Sequence, residues 1–278
     1  MTPVPPHARR PRWRSAVAAL ALAASGLAAC SSGQGSIAIG DGARVTVDRP
    51  EGEGPHPVLL HVPGGGWQEV EASPGREAFG LSAAVEEGWA VVTVRYPTGG
   101  GVTAPDQVAA VARALAWVRD APDQALDGPV VASGHSAGAH LLALAVAQVA
   151  PAERPDHLLL VAGVYDLAGD VRASPSLQPG LERVLGCSDA ACPGGPAVEP
   201  IEAVGPALPP TTLVHGRRDV VTPPDGSVRY AEALSAAGVP ADLHLVDGGG
   251  HLGAGTDAEV RRVLTDVLDQ LRDARSSR

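Results

Sequence analysis

The stretch Gly134-His135-Ser136-Ala137-Gly138 decides how the rest of the sequence is interpreted. It follows an apolar run, Pro129–Ser133, and leads into an alanine-rich segment, Ala137–Ala150. A serine at a sharp strand-to-helix turn stands clear of the backbone, and the residues two before and two after it must be small so that strand and helix can pass. The motif therefore predicts a nucleophilic serine, Ser136, because its hydroxyl could reach a carbonyl carbon. A tight turn without chemistry is the alternative.

Short apolar runs alternate with longer helical patterns on both sides of this motif. Such alternation is typical of a mostly parallel sheet with helices on both faces, and it predicts an α/β fold. Apolar residues at helical spacing predict helices over Val108–Val118 and Val260–Leu271, and a further helix is expected near Ser227–Ala237. The predicted strands are Arg44–Val47, Val58–Val62, Ala90–Arg95, Val130–Ser133, Leu158–Val161, Thr212–His215 and Leu243–Val246.

A second glycine-rich motif, Pro63-Gly64-Gly65-Gly66-Trp67, directly follows the predicted strand Val58–Val62. Glycines let backbone N–H groups face a developing oxyanion without side chains in the way. Removing one such donor typically raises the barrier by about 2.7–4 kcal/mol. The motif therefore predicts an oxyanion hole, with a glycine-rich turn of no catalytic role as the alternative.

With both motifs in place, the chain resembles the α/β-hydrolase esterases whose first loop reads His-Gly-Gly-Gly-Trp, a group that includes carboxylesterases, feruloyl-esterase-like and kynurenine-formamidase-like enzymes. The resemblance covers essentially all of the chain after residue 29. It implies the α/β-hydrolase fold and oxyanion donors at the amides of Gly65, Gly66 and Ala137. The chain departs from the family pattern at Pro63, which replaces the usual histidine, while His61 lies two residues earlier. The support of the loop could therefore differ.

The resemblance also implies that the serine is followed along the chain by an acid and then by a histidine. His251 fits the histidine, because it follows the last predicted strand and a run of three glycines. Its neutral imidazole could accept the serine proton and return it to the leaving group. The family places the acid after the strand Thr212–His215, which selects Asp219 over Asp225 and Asp247. The other histidines near these strands are expected to be structural.

The first 29 residues differ from the rest of the chain. Four arginines between Arg9 and Arg14 precede an apolar run, Ala16–Ala29, that ends at Cys30. This pattern is typical of a signal peptide, and the run is too short for a finished membrane helix. Leu27-Ala28-Ala29-Cys30 resembles the lipobox of bacterial lipoproteins, which implies that Cys30 is lipidated and becomes the mature N-terminus. An ordinary secretory signal is the alternative.

The charge of the chain excludes some partners. Removing residues 1–29 takes away four of the 21 basic residues and none of the 31 acidic ones, so the formal charge becomes 17 minus 31, or −14. Such a surface repels nucleic acid and anionic lipid headgroups. We therefore expect no nucleic-acid partner, and a membrane contact only through the lipid anchor, with the catalytic domain outside the cytoplasm.

Two cysteines remain, Cys187 and Cys192, and an oxidising compartment would let them form a disulfide. A Cys-x₄-Cys pair without nearby histidines is poor evidence for zinc, and no pair of histidines has the spacing of a metal site. The sequence therefore predicts neither a metal nor an organic cofactor.

Together these features predict a serine hydrolase that acts on small to moderate neutral esters through an acyl-enzyme. Its organisation would be a lipoprotein signal peptide over 1–29, a lipidated Cys30 with a polar tether over 30–43, and one catalytic domain over 44–275. An amidase, formamidase or peptidase on the same fold is an alternative. An alternative of another class is a non-catalytic surface lipoprotein that uses the fold as a binding scaffold.

Overall fold

The computed structural model describes residues 35–40, 42–68, 76–120, 125–167, 169–170, 174, 177, 179–180, 182, 198–253 and 255–276. These residues belong to one compact unit, Gln34–Arg278. The predicted signal peptide, Cys30 and the pair Cys187 and Cys192 lie outside the described residues. Lipidation and the disulfide therefore stay predictions.

The eight strands of the described residues form a single sheet. They are β1 (Ile37–Gly40), β2 (Ala43–Asp48), β3 (His56–Val62), β4 (Ala90–Arg95), β5 (Leu126–His135), β6 (His157–Val161), β7 (Thr211–Gly216) and β8 (Ala241–Val246). Their order across the sheet is β1-β2-β4-β3-β5-β6-β7-β8. β2 is antiparallel to β1 and β4, and every other neighbouring pair is parallel. The mostly parallel sheet and all seven predicted strands are confirmed.

The first strand, β1, corrects the predicted start of the domain. The sequence predicts a polar tether up to residue 43, but Ile37–Gly40 pairs with β2 and opens the sheet. Ile37 and Ile39 pack against the core on one side of this strand. Four residues are too few for a clear alternating pattern, so this edge strand is recognised only through its pairing with β2.

Among the residues that the structure describes, five α-helices cover the two faces of the sheet. They are α1 (Leu81–Glu86), α2 (Ala104–Arg119), α3 (Ala137–Gln148), α4 (Asp225–Ala236) and α5 (Thr256–Ser276). α2, α3 and α4 pack on one face and α1 and α5 on the other, as their membership of two separate apolar clusters shows. Within the described ranges, no helix has the length and apolar composition needed to cross a membrane.

Strand β3 shows why the central strands of the sheet are apolar at successive positions. Val58, Leu60 and Val62 belong to the cluster under α2 and α3, while Leu59 belongs to the cluster under α1 and α5. A strand covered on both faces needs apolar residues at successive positions. The connection from β3 to β4 contains α1 and lies on one face of the sheet, while the connection from β4 to β5 contains α2 and lies on the other face. The carboxyl ends of β3 and β5 thus form the crevice where α/β sheets bind ligands.

Candidate active site

Ser136 occupies the sharp turn between β5 and α3. Its backbone has φ 52° and ψ −123°, a region that residues with a Cβ rarely adopt. The Ser136 amide donates a hydrogen bond to the carbonyl of Val161 on the neighbouring strand at 2.9 Å. The side chain is partly exposed. The turn therefore presents the hydroxyl at the carboxyl edge of the sheet.

The glycines on either side of Ser136 permit this turn. A Cβ on Gly134 would lie 2.8 Å from the carbonyl oxygen of Gly138 and 2.9 Å from the Cα of Ala139. A Cβ on Gly138 would collide with the carbonyl oxygen of Val62 and lie 2.5 Å from that of Pro63. The small residues are thus required by two contacts, one between strand and helix and one between the helix and the end of β3.

Asp219 and His251 are brought together by the loops after β7 and β8. His251 donates a hydrogen bond from Nδ1 to Asp219 Oδ2 at 2.7 Å. Asp247, one of the alternative acids, instead pairs with Arg217 at 2.8 Å and its side chain is 93% exposed. Asp225, the other alternative, lies exposed at the start of α4. The geometry therefore favours Asp219 as the partner of His251.

Close backbone approach holds these two loops side by side. A Cβ on Gly216 would collide with the carbonyl oxygens of Gly249 and Gly250. The Arg218 amide donates to the Gly249 carbonyl at 2.8 Å, and the Thr256 hydroxyl donates to the Gly250 carbonyl at 3.1 Å. The glycines before His251 thus let the histidine loop lie directly on the loop that carries Asp219.

Asp219 is buried and surrounded by donors. Its Oδ1 accepts the amides of Val221 at 2.8 Å and Thr222 at 2.9 Å, and its Oδ2 accepts the Thr222 hydroxyl at 2.9 Å. His215 Nε2 lies 3.1 Å from the same Oδ2. Burial alone would raise the pKa of Asp219, but hydrogen bonds from His215 and His251, the charge of His251 and the Thr222 amide together hold this pKa well below its usual range. Asp219 is therefore ionised.

Two of these supporting residues, His215 and Thr222, were not predicted to have a role in the site. His215 donates from Nε2 to the Thr222 carbonyl at 2.6 Å and accepts the Ser227 hydroxyl on Nδ1 at 2.7 Å. The Thr222 hydroxyl lies 3.0 Å from His251 Nδ1 and also 3.0 Å from the carbonyl oxygen of Ala162. The only sequence signal was the nearness of both residues to Asp219.

His135 connects the serine turn to His251. The His135 ring centroid lies 4.8 Å from that of His251 and 5.3 Å from that of Phe79. Burial, together with the charges of His251 and His61, lowers the pKa of His135 well below its ordinary value. A neutral ring, that of the residue directly before Ser136, therefore packs on one side of His251.

The glycine loop after β3 lies against the serine turn. A Cβ on Gly64 would be 3.2 Å from the Ser136 Cβ and 2.9 Å from His135 Nδ1, so position 64 must be glycine. Gly65 and Gly66 have φ 124° and 58°, and both are at least partly exposed. Ala137 is the first residue of α3, where backbone N–H groups have no acceptor within the helix. The three predicted oxyanion donors thus lie in the two segments that meet at Ser136.

The support of this loop explains how Pro63 is tolerated. The Tyr96 hydroxyl donates to the carbonyls of Pro63 at 3.0 Å and Gly64 at 3.3 Å, and Gln107 donates to the Trp67 carbonyl at 2.8 Å. His61 does not replace the missing loop histidine, because it lies inside β3 with its Nδ1 2.9 Å from the Ser133 hydroxyl. Tyr96 and Gln107 are site residues that the sequence did not reveal.

Among the described residues, no group of three or more His, Cys, Asp or Glu side chains is arranged to hold a metal ion. The segments around Ser136 provide a hydroxyl, an imidazole, a carboxylate and backbone donors, which are the groups that acyl transfer requires.

Comparison with known proteins places this geometry in a family. A model described as the alpha/beta hydrolase fold matches residues 59–254. The chain belongs to this family. It is 34% identical over 197 residues to esterase LipQ of Mycobacterium tuberculosis, which covers 66% of this chain and 46% of that protein. It is also 28% identical over 232 residues to the kynurenine formamidase of Drosophila melanogaster, covering 76% of this chain and 73% of that enzyme.

This member of the alpha/beta hydrolase fold family spans about half the length of the mycobacterial relatives that it matches. Among solved structures, it is similar to Thermogutta terrifontis esterase 2 phosphonylated by sarin, with 22% identity and a TM-score of 0.70 over 86% of this chain and 95% of that one. The butyrate-bound form of Est2 from Thermogutta terrifontis gives 23% identity and a TM-score of 0.66 over 86% and 94% of the two chains. These likenesses confirm the predicted fold.

Proposed function

We propose that the chain is a serine esterase, a carboxylic ester hydrolase whose triad is Ser136, Asp219 and His251. The observation that carries this proposal is the 2.7 Å hydrogen bond between His251 and Asp219 beside the serine turn. Nδ1 of His251 is occupied by its hydrogen bond to Asp219, which leaves Nε2 of the same ring to accept a proton. The names of the mycobacterial relatives, esterase and carboxylic ester hydrolase, support the same reaction.

In the first half of this reaction, Ser136 Oγ attacks the ester carbonyl carbon and its proton passes to His251 Nε2. The carbonyl oxygen becomes an oxyanion that the amides of Gly65, Gly66 and Ala137 would bind. The bond to the alcohol oxygen then breaks, the alcohol leaves with the proton from His251, and an acyl-enzyme remains. Each oxyanion donor is worth about 2.7–4 kcal/mol of barrier.

In the second half, water attacks the acyl-enzyme and gives its proton to His251. The second tetrahedral species collapses with return of the proton to Ser136 Oγ, which releases the carboxylic acid and restores the enzyme. Throughout the cycle Asp219 holds the imidazole in one tautomer and stabilises the imidazolium. Its low pKa keeps the carboxylate ionised for this task.

The substrate proposed is a small to moderate neutral ester with a short acyl chain. The formal charge of −14 after residue 29 disfavours anionic substrates. The butyrate-bound form of the Thermogutta esterase supports a short acyl chain by analogy of fold. A formamidase is the second candidate, because the Drosophila relative named kynurenine formamidase is matched over 73% of its length.

An ester and amide panel tests this proposal. Residues 31–278 should hydrolyse p-nitrophenyl esters from acetate to octanoate with the highest kcat/KM among the shortest chains, and should hydrolyse the matching anilides and an aryl formamide far more slowly. The fluorophosphonate class of probes should label the protein, since the structurally similar Thermogutta esterase is phosphonylated by sarin. A formamide preferred over every ester would contradict the ester assignment and favour the second candidate.

We also propose that the protein is exported and anchored to the membrane through lipid on Cys30, with the catalytic domain outside the cytoplasm. The proposal is supported by the arginines, the apolar run and the lipobox-like Leu27-Ala28-Ala29-Cys30. Replacing Cys30 with alanine should abolish incorporation of labelled fatty acid and move the protein from the membrane to the soluble fraction. The matched control is Ala29→Ser, which keeps the cysteine. Membrane attachment that survives Cys30→Ala would contradict the anchor.

A further inference from the structure

A buried chain of hydrogen bonds links the glycine loop after β3, residues 63–67, to α3, the helix that begins directly after Ser136. The indole Nε1–H of Trp67 donates to Nδ1 of His140 at 3.2 Å, and the two rings meet edge to face with centroids 5.5 Å apart. His140 Nε2 in turn donates to the Val198 carbonyl at 3.0 Å. Trp67 is 3% exposed and His140 is 1% exposed. Water therefore has little access to replace either bond.

These partners determine the tautomer of His140. A carbonyl oxygen can only accept, so the proton must be on Nε2, and an indole N–H can only donate, so Nδ1 must be bare. Burial lowers the pKa of His140 to about 4, which keeps the ring neutral near neutral pH. His140 thus acts as a fixed acceptor for Trp67 under the conditions in which a neutral His251 can act as a base.

The position of His140 matters because the same helical turn carries the nucleophile. The His140 amide donates to the Ser136 carbonyl at 3.2 Å within the first turn of α3. Trp67 directly follows Gly66, and its φ of 61° is unusual for a residue with a Cβ. Such a conformation persists only when its surroundings hold it. Gln107 donates to the Trp67 carbonyl, and His140 accepts from the Trp67 indole. Hydrogen bonds therefore hold both the backbone and the side chain of Trp67.

We propose that His140 is a positioning residue of the oxyanion hole, which it aligns with Ser136 by holding the indole of Trp67. This inference rests on the esterase function proposed above. Because Pro63 stands in place of the usual loop histidine, Tyr96 holds the start of the loop and the link from Trp67 to His140 holds its end. Loss of the link should shift the amides of Gly65 and Gly66 relative to the oxyanion. Such a shift acts mainly in the transition state, so kcat should fall while KM changes little.

Variants of Trp67 and His140 test this inference. Trp67→Phe keeps an aromatic ring but removes the donor, and His140→Leu removes the acceptor. Each should lower kcat for p-nitrophenyl butyrate about tenfold to a hundredfold with KM within about twofold, the size expected for a displacement of about 1 Å. The double variant should be no slower than the slower single variant, because both changes break the same link. His140→Asn, whose amide oxygen can take the place of Nδ1, should recover part of the lost kcat.

Trp89→Phe is the matched control. Trp89 is a fully buried tryptophan in the cluster on the opposite face of the sheet, and its Nε1 has no hydrogen-bond partner among the described residues. This change should leave kcat within about twofold of wild type. Wild-type kcat in both Trp67→Phe and His140→Leu, or fully additive losses in the double variant, would overturn the inference. Ester hydrolysis by the wild type, measured alongside, separates that failure from failure of the esterase proposal.

A measurement on the unmodified protein covers the case in which these variants do not fold. Nitrogen-15 NMR of the wild type should show His140 as the neutral tautomer with its proton on Nε2. The indole N–H of Trp67 should exchange slowly with solvent, because it is buried and bonded. A proton on Nδ1 of His140, or rapid exchange at the Trp67 indole, would rule the link out whatever the variants do.

Discussion

Replacing Ser136 with alanine should reduce kcat for ester hydrolysis by about 10⁶-fold, the loss seen when the nucleophile of a serine hydrolase is removed. The alanine has no oxygen to form the acyl-enzyme, while the glycine loop and Ala137 would remain. The residual rate should therefore still exceed that in water by about 10³–10⁴-fold. Initial rates with p-nitrophenyl butyrate, and labelling by a fluorophosphonate, measure the loss.

Ser82→Ala is the matched control for this change. Ser82 lies partly exposed on α1, where its hydroxyl donates to Glu77 at 2.7 Å, and its removal should leave kcat unchanged. Fluorophosphonate labelling that persists in Ser136→Ala would show that another residue is the nucleophile. A wild-type protein that neither hydrolyses esters nor reacts with the probe would favour the non-catalytic scaffold instead.

Asp219→Asn should lower kcat by about 10⁴-fold, the effect of the same change in the acid of a serine protease triad. Asp219 Oδ2 accepts the Nδ1 proton of His251 at 2.7 Å. An asparagine amide turned toward His251 would donate instead, which would place the imidazole proton on Nε2 and block its role as a base. The amides of Val221 and Thr222 donate to Asp219 Oδ1, so they would hold the asparagine oxygen on their side. The asparagine NH₂ group would then face His251. The measurement is kcat at the pH optimum of the wild type.

Asp247→Asn and Asp225→Asn are the controls for the acid. Both residues are exposed, and Asp247 pairs with Arg217 rather than with His251. Each variant should keep kcat within about twofold, since an exposed ion pair is worth about 0–1 kcal/mol. If either control lost activity while Asp219→Asn kept it, the assignment of the acid would be wrong.

The elements of the fold that could be predicted are those whose burial is visible as a pattern of apolar residues within one short segment. Buried parallel strands need consecutive apolar residues, so β3 through β7 stand out in the sequence. The elements that were missed are short. β1 has four residues and α1 has six, too few for either to show a clear period, and both are stabilised by the elements they contact.

The supporting residues of the site were missed for a related reason. Tyr96, Gln107 and Thr222 act through hydrogen bonds to residues that are between 3 and 60 positions away. A tyrosine or glutamine at one position carries no mark of the distant carbonyl that it will bind. Such partners become visible only when the loops that contain them are placed in space.

Local sequence was thus sufficient for the turn at Ser136, since Gly134 and Gly138 are required by contacts within a few residues of the serine or just across the sheet. It was also sufficient for the α/β fold, because apolar runs and helical spacing directly reflect burial. The partner of His251 and the support of the oxyanion loop required the folded molecule. Both depend on distances between loops at the ends of different strands, and those distances arise from strand order and backbone packing rather than from any one segment of the chain.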